Sequence, residues 1–410
     1  MLQDEDGDTC PFARERQFFM GDTTKRVAWI SDFPIEWLSD LPAPLESLPK
    51  QHSLTWQRVL FDELKKDQRL KLHVIALRKR LERDYSFDKE GAVFHLLKVP
   101  AGLRGPTLFW VDTLVIKRVL QKVRPDVLHA WGTERGAALV AHRLRYPYIV
   151  TIQGLLMWYV QMVPLNLHFR YASFLEKICL PRAPLVTTES NFAVQYLRKR
   201  FPELPIMQIE HASNWVFHQV LRRPRTQPIR FIFVGTLDQR KGGDLLVAAL
   251  DRLKDELAWE LLFIGTAEEA FLKQLRARTS SELWGRIQFK RDLSPAEVAA
   301  EFGEATIMLF PTRADTSPNA VKEAVVAGVP VVASAVGGIP DYVFSGENGL
   351  LFPSNDITAF VEAIRAACKH PLFSRGLVAQ SSLEKNREYL SPRLMARRFL
   401  EAYQSVLTRD

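Results

Sequence analysis

Cysteine is scarce: Cys10, Cys179 and Cys368 are the three in 410 residues, far apart and without a CxxC spacing. So sparse and odd a set excludes a disulfide framework and predicts reduced thiols in a cytoplasmic setting. No HExxH or comparable metal pattern occurs, and the nine histidines are scattered, so no metal site is expected. No run of eighteen apolar residues exists, which excludes a membrane-spanning helix. The start, MLQDEDGDTCPFARERQFF, lacks the basic-then-apolar order of a secretion signal. Short-period repeats and low-complexity tracts are absent too. The expectation is a cytoplasmic protein, soluble or peripheral at the inner face of the membrane.

What is present is ordinary globular material, 47% hydrophobic and 25% charged, long enough for two or three domains. A formal charge of +8 favours anionic partners: phosphorylated metabolites, nucleic acid or an anionic membrane surface; it also suits a merely soluble surface. After a polar lead-in over 1–24, short apolar runs alternate with helix-period stretches. The runs are VAWIS (27–31), LHVIAL (72–77), VFHLLKV (93–99), DVLHAW (126–131), YIVTIQG (148–154), LVTTES (185–190) and PIMQIEH (205–211). Beyond the basic bridge VLRRPRTQP (220–228), read as a linker, the rhythm restarts with RFIFVG, ELLFIG, RIQFKR, ATIMLFP, VPVVAS and NGLLFP. Apolar strands separated by helices imply parallel sheets covered on both faces. The fold class is therefore α/β with two lobes, residues 25–219 and 220–390. A closing helix over 391–410 is introduced by Ser391-Pro392, serine as cap and proline in the first turn.

Open parallel sheets bind ligands beyond the carboxyl ends of their strands, so the cleft between the lobes is the place to look. In FIFVGTLDQRKGGDLLVAAL, Gly235 ends a strand and a short loop carries Arg240 and Lys241 before a helix. Glycine, two cations and a helix start make a phosphate cradle, although a solvated basic turn fits the same residues. The stretch DTSPNAVKE places Asp315 just before a helix and Glu323 about a turn and a half inside it. Ser317 is expected as N-cap, Pro318 at the first helical position, and Asn319 and Ala320 leave first-turn N–H groups accessible. The two acids are not an i, i+4 pair, and suit two parts of one polyhydroxyl ligand; an acid at a helix dipole plus an exposed glutamate is the plainer alternative. Gly337-Gly338 closes another strand before Pro340, as a ligand approach or as a tight structural turn. His129 ends a strand in DVLHAWG, either at the cleft or packed. Segment 155–182 mixes large apolar and basic residues, as a lobe-covering helix or a membrane-surface one.

The order VGTLDQRKGGDLLVAAL, IQFKRDLSPAEV, MLFPTRADTSPNAVKEAVVAGVPVVASAVGGIPDYV and NGLLFP resembles the nucleotide-sugar lobe of GT-B glycosyltransferases, most of all the large retaining family numbered four. The resemblance is specific over roughly 230–365 and looser in the first lobe. It implies two Rossmann-like lobes facing a central cleft, with the last helix crossing back to the first lobe. Its paired acids fall on Asp315, for hydroxyls of the transferred sugar, and Glu323, for the ribose. By the same resemblance Ser317, Pro318, Asn319 and Ala320 line sugar and diphosphate, with Gly235, Gly337 and Gly338 allowing backbone approach, and Arg240 and Lys241 neutralise the leaving diphosphate. This chain departs from the family in having Asp for the commoner Glu at 315, Thr236 for a usual arginine, and Gln153 where many members carry histidine.

The implied activity is hexosyl transfer, with retention, from a UDP- or GDP-type donor to a glycan or lipid-linked acceptor in polysaccharide, glycan or glycolipid synthesis. No cofactor, metal or nucleic acid is implied. The DEDGD run has no preceding strand and is set aside as a metal motif. The alternatives are a nucleotide-sugar epimerase of the same shape and a non-catalytic sugar-nucleotide-binding protein.

Overall fold

Runs of β-branched and aromatic residues, closed by Gly, Pro or Asn, form the strands. A computed structural model describes residues 24–48, 55–100, 102–162 and 167–408; the lead-in expected over 1–24 lies almost wholly outside them. The first sheet contains β1 (Lys25–Ile30), β2 (Leu70–Arg78), β3 (Tyr85–Lys89), β4 (Ala92–Lys98), β5 (Val127–Trp131), β6 (Tyr148–Thr151), β7 (Val186–Thr188) and β8 (Ile206–Gln208). Its order is β3-β4-β2-β1-β5-β6-β7-β8, parallel except for the β3–β4 pair. The second contains β9 (Ile229–Val234), β10 (Trp259–Ile264), β11 (Ile287–Lys290), β12 (Ile307–Phe310), β13 (Val331–Ser334) and β14 (Gly349–Phe352). Its order, β11-β10-β9-β12-β13-β14, is that of a doubly wound nucleotide-binding sheet.

Every apolar run predicted from the sequence became a strand. The strand that escaped, β3, reads YSFDK and is half-polar, as suits an antiparallel edge. Glu90 and Gly91, both at positive φ, turn it directly into β4. By contrast β5, β12 and β13 are buried along their whole length, as strands covered on both faces must be.

Two features fix the lobes. The helix Pro392–Leu407 crosses back and buries Met395, Phe399, Tyr403 and Val406, one face of a helix, in the core of the first lobe. Ser391 does not cap it with its side chain, contrary to expectation; proline at the first position suffices for entry. Residues 220–228 are no loose tether. The Arg222 guanidinium caps the carbonyls of Phe302, Ala305 and Gly376, strapping the segment to the second lobe.

His129 lies inside the first sheet, away from the cleft. Its Nδ1 meets the Tyr403 hydroxyl at 2.8 Å and its Nε2 meets the Thr151 hydroxyl at 2.6 Å. Trp29 Nε1 can only donate, and does so to the same Tyr403 oxygen at 3.0 Å. The tyrosine proton therefore points to Nδ1, and Nε2 carries the imidazole proton toward Thr151. Complete burial holds the ring neutral by pushing its pKa well below the ordinary value. Tyr403→Phe leaves both Trp29 Nε1 and His129 Nδ1 buried without a partner. Urea unfolding is expected to show a loss of about 1–3 kcal/mol; an unchanged midpoint contradicts this network.

Candidate active site

The loops that follow β9 and β12, at the switch point of the second sheet, are locked together. Gly235 ends β9 at φ +145°, and Gly242 begins the next helix at φ +74°. A Cβ on Gly242 would sit 1.9 Å from the Pro311 carbonyl oxygen, so only glycine lets the two loops approach this closely. Arg313 then binds Asp244 through both carboxylate oxygens at 2.6 and 2.7 Å. The result is a fixed platform bearing Arg240 and Lys241 on one side and the 311–318 loop on the other.

Above it lies a cavity of about 490 Å³. The second lobe contributes Gly235, Thr236, Arg240 and Lys241 from the β9 loop. Asp315, Ser317, Pro318, Asn319 and Ala320 come from the β12 loop and the start of helix Asn319–Ala327. Gln153 faces them from beyond β6. Lys241 Nζ pairs directly with the Asp315 carboxylate, and Arg240 lies 3.7 Å from the same oxygen. Arg240 also donates to the Ala314 carbonyl at 2.9 Å, which aims its guanidinium across the cavity floor.

Glu323 sits a turn behind Asn319, half-buried, and makes no hydrogen bond or ion pair among the described residues. Desolvation, opposed by the charge of Lys322, pushes its carboxyl up to about 8. Ser317 is not the expected cap: its hydroxyl donates to Glu210 of the first lobe at 2.8 Å, and Pro318 precedes the helix without a side-chain cap. Gly337 and Gly338 do not line the cavity either. They brace its rear: a Cβ on Gly337 would fall 1.8 Å from the Asp315 carbonyl oxygen, and Gly338 N donates to Thr316 O at 2.7 Å.

The sequence reading missed most of the first-lobe wall. Glu189 and His211, just past β7 and β8, line the cavity with Trp56 and Tyr159. His211 Nδ1 lies 3.3 Å from Glu189, its ring stacks on Trp56, and its Nε2 is buried without a hydrogen-bond partner. Tyr159 shares its hydroxyl with the Thr316 side chain at 2.7 Å and the Thr316 amide at 3.0 Å. Behind the wall, fully buried Lys322 reaches from the second lobe to Glu189 at 2.8 Å and Glu210 at 3.3 Å. The polar ends of TTES and IEH were the available signal.

A family model described as "Glycosyl transferases group 1" matches residues 228–370, and "Glycosyl transferase 4-like domain" matches residues 61–210. The second lobe is thus similar to the group 1 glycosyltransferases, and the first to the glycosyl transferase 4-like domain. Glycogen synthase of Mycobacterium tuberculosis (strain CDC 1551 / Oshkosh) is 29% identical over 163 residues, 39% of this chain and 38% of its own. D-inositol 3-phosphate glycosyltransferase 1 of Catenulispora acidiphila is 31% identical over 149 residues, 34% and 36% of the two chains. These alignments thus span little more than a third of the relatives' lengths. Among solved structures, the sucrose-phosphate synthase of Thermosynechococcus elongatus superposes with a TM-score of 0.77 at 18% identity, over 94% of this chain and 100% of that one. Anabaena HepE, solved with UDP, gives 0.64 at 16% identity, over 93% and 100%. These likenesses establish the GT-B fold of the chain.

Two consequences of the buried charges can be measured. Lys322→Met strands Glu189 and Glu210 without their cation and is expected to cost about 3–5 kcal/mol near pH 8. That loss should shrink as pH falls toward the unfolded carboxyl pKa, because the stranded acids then take up protons; a loss independent of pH contradicts the pairing. Glu323 has the opposite sign when removed. Its folded pKa exceeds its unfolded value, so it costs stability as pH rises from about 4.5 toward 8. Glu323→Gln should therefore melt above wild type at pH 8 and draw level with it only below about pH 4.

Proposed function

We propose that the protein is a retaining glycosyltransferase that moves a hexose from a UDP- or GDP-linked donor to an acceptor hydroxyl. One observation carries this reading: Lys241 and Arg240 converge on Asp315 at the start of the Asn319–Ala327 helix. Two cations and free first-turn N–H groups suit a diphosphate, and Asp315 beside them suits sugar hydroxyls. An arriving diphosphate competes for Lys241 and Arg240, and so frees the Asp315 carboxylate to accept from the sugar. Glu323, titrating near 8, both donates and accepts at neutral pH, which fits a ribose diol. Gln153 supplies an amide donor where many relatives have histidine, and His211 Nε2 offers an imidazole from the same side.

In the reaction, the bond from the anomeric carbon to the diphosphate oxygen breaks and one to the acceptor oxygen forms on the same face. The acceptor proton passes to the departing phosphate. Arg240 and Lys241 take up the charge that develops there, so the step requires no metal. Glu189, lying between Lys322 and His211, is committed to structural partners, which favours transfer over epimerisation. The acceptor enters from the first lobe, in synthesis of a surface polysaccharide, glycan or glycolipid. No helix among the described residues is long and apolar enough to cross a membrane. The setting that suits this reading is the cytoplasm, with the enzyme either soluble or peripheral at the inner face of the membrane.

The test is to incubate purified protein with UDP- and GDP-hexoses. UDP-glucose comes first because Anabaena HepE, of the same fold, is solved with it. Release of nucleotide with the donor's anomeric configuration kept in the product, unaffected by EDTA, is the expected result. Lys241→Ala and Glu323→Gln should each lower turnover by about 10²-fold. Epimer formation, binding without release, or undiminished turnover in both variants refutes the assignment.

A further inference from the structure

A second cavity, of about 610 Å³, opens beyond the carboxyl ends of β1, β2 and β5 in the first lobe. Asp32 follows β1, Lys79 and Arg80 follow β2, and Glu134 and Arg135 follow β5. Gly105 and Tyr171 close the far wall, joined by a 3.0 Å hydrogen bond from the tyrosine hydroxyl. Its strand ends adjoin β6, which leads to Gln153 in the donor cavity. Neighbouring strands lie roughly 5 Å apart, so the two cavities sit side by side along one edge of the sheet.

The charges in this cavity are unevenly paired. Arg78 is buried and bound to Glu36 through two nitrogens, at 2.5 and 3.1 Å. Arg104 is bound to Asp112 at 2.8 Å, and Arg135 reaches Asp32 at 2.9 Å with 53% of its side chain still exposed. Lys79 and Arg80 are exposed and make no hydrogen bond, ion pair or ring contact among the described residues. Glu134 accepts from the Thr133 amide at 2.7 Å, and burial raises its carboxyl above the usual range. An ammonium and two guanidinium forks converging on one opening match a phosphate better than a neutral sugar.

We propose that the acceptor is anionic, and that Lys79, Arg80 and Arg135 hold its phosphate in the first-lobe cavity while its hydroxyl reaches the donor. This rests on the transferase reading above and adds the chemical class of the second substrate. A phosphate reaches such a cavity either on a free sugar or on a lipid carrier. The surroundings favour the lipid: Leu103, Trp110, Leu114, Leu167 and Phe174, on the segments that build the far wall, are each at least half exposed. A polyprenyl chain attached to the bound phosphate supplies apolar surface to cover them.

The test keeps the two cavities apart. Calorimetry with UDP reports on the donor cavity, and inorganic phosphate added in the presence of UDP reports on this one. Lys79→Ala/Arg80→Ala should keep the wild-type UDP affinity and lose phosphate affinity about tenfold or more. Failure of wild type to bind UDP refutes the donor reading, whereas unchanged phosphate affinity in the double variant overturns the acceptor proposal alone. Vesicles of phosphatidylcholine with and without a polyprenyl phosphate then identify the source. Sedimentation that needs both the polyprenyl phosphate and the two cations supports a lipid-linked acceptor. Binding of glucose 6-phosphate that needs the two cations, without vesicle binding, supports a soluble phosphosugar. Equal responses of wild type and variant to both probes overturn the proposal.

Discussion

A single ammonium group keeps the two lobes in register. Lys322 Nζ leaves the second lobe and is buried between Glu189 and Glu210, which stand at the ends of neighbouring strands in the first. Removing such charges from water costs several kcal/mol per ion, and only close pairing with further hydrogen bonds offsets it. Those bonds are present: Ser317 and Tyr389 donate to Glu210, and His211 leans on Glu189. Burial still raises both acids, and Lys322 is what opposes that rise. The same short helix carries Asn319 and Ala320 at the cavity and Glu323 behind it. Its position is therefore set by the opposite lobe, and the cavity between the lobes inherits that precision.

A second clasp lies alongside. Asp341 accepts from the Asn191 amide nitrogen at 2.8 Å and from its side chain at 3.1 Å, again across the lobes. Gly338 lies against Ser190 there, where a Cβ would come within 2.5 Å of the serine Cβ. The glycine pair at 337–338 thus serves closure of the cleft and support of the Asp315 loop at once. Neither role involves touching a ligand, although a glycine pair after a strand suggests ligand approach when read locally.

What could be read from the sequence divides along the same line. Strands buried on both faces appear as continuous apolar runs, so all but the half-polar β3 were legible, and so was the two-lobe rhythm. The second-lobe half of the cavity was legible as well, because Gly235, Arg240, Lys241 and 315–320 lie in two short contiguous stretches. The first-lobe half was not. Glu189, His211, Trp56 and Tyr159 come from four separated segments, and nothing local distinguishes a glutamate that meets a lysine 133 positions away. His129 misled for the same reason. A histidine at a strand end looks available until a tyrosine from the far end of the chain is seen to occupy it.

That tyrosine has a consequence for how the molecule assembles. Trp29 and Tyr403 are bonded across 374 positions, the span between the first strand and the last helix. A chain made from its N-terminus has all eight strands of the first sheet before Met395, Phe399 and Tyr403 exist to cover them. Among the described residues the second lobe's buried core runs from Phe217 to Leu390, all of it made before the last helix, and can close while the first is still waiting. The lobe synthesised first is thus the last to be completed.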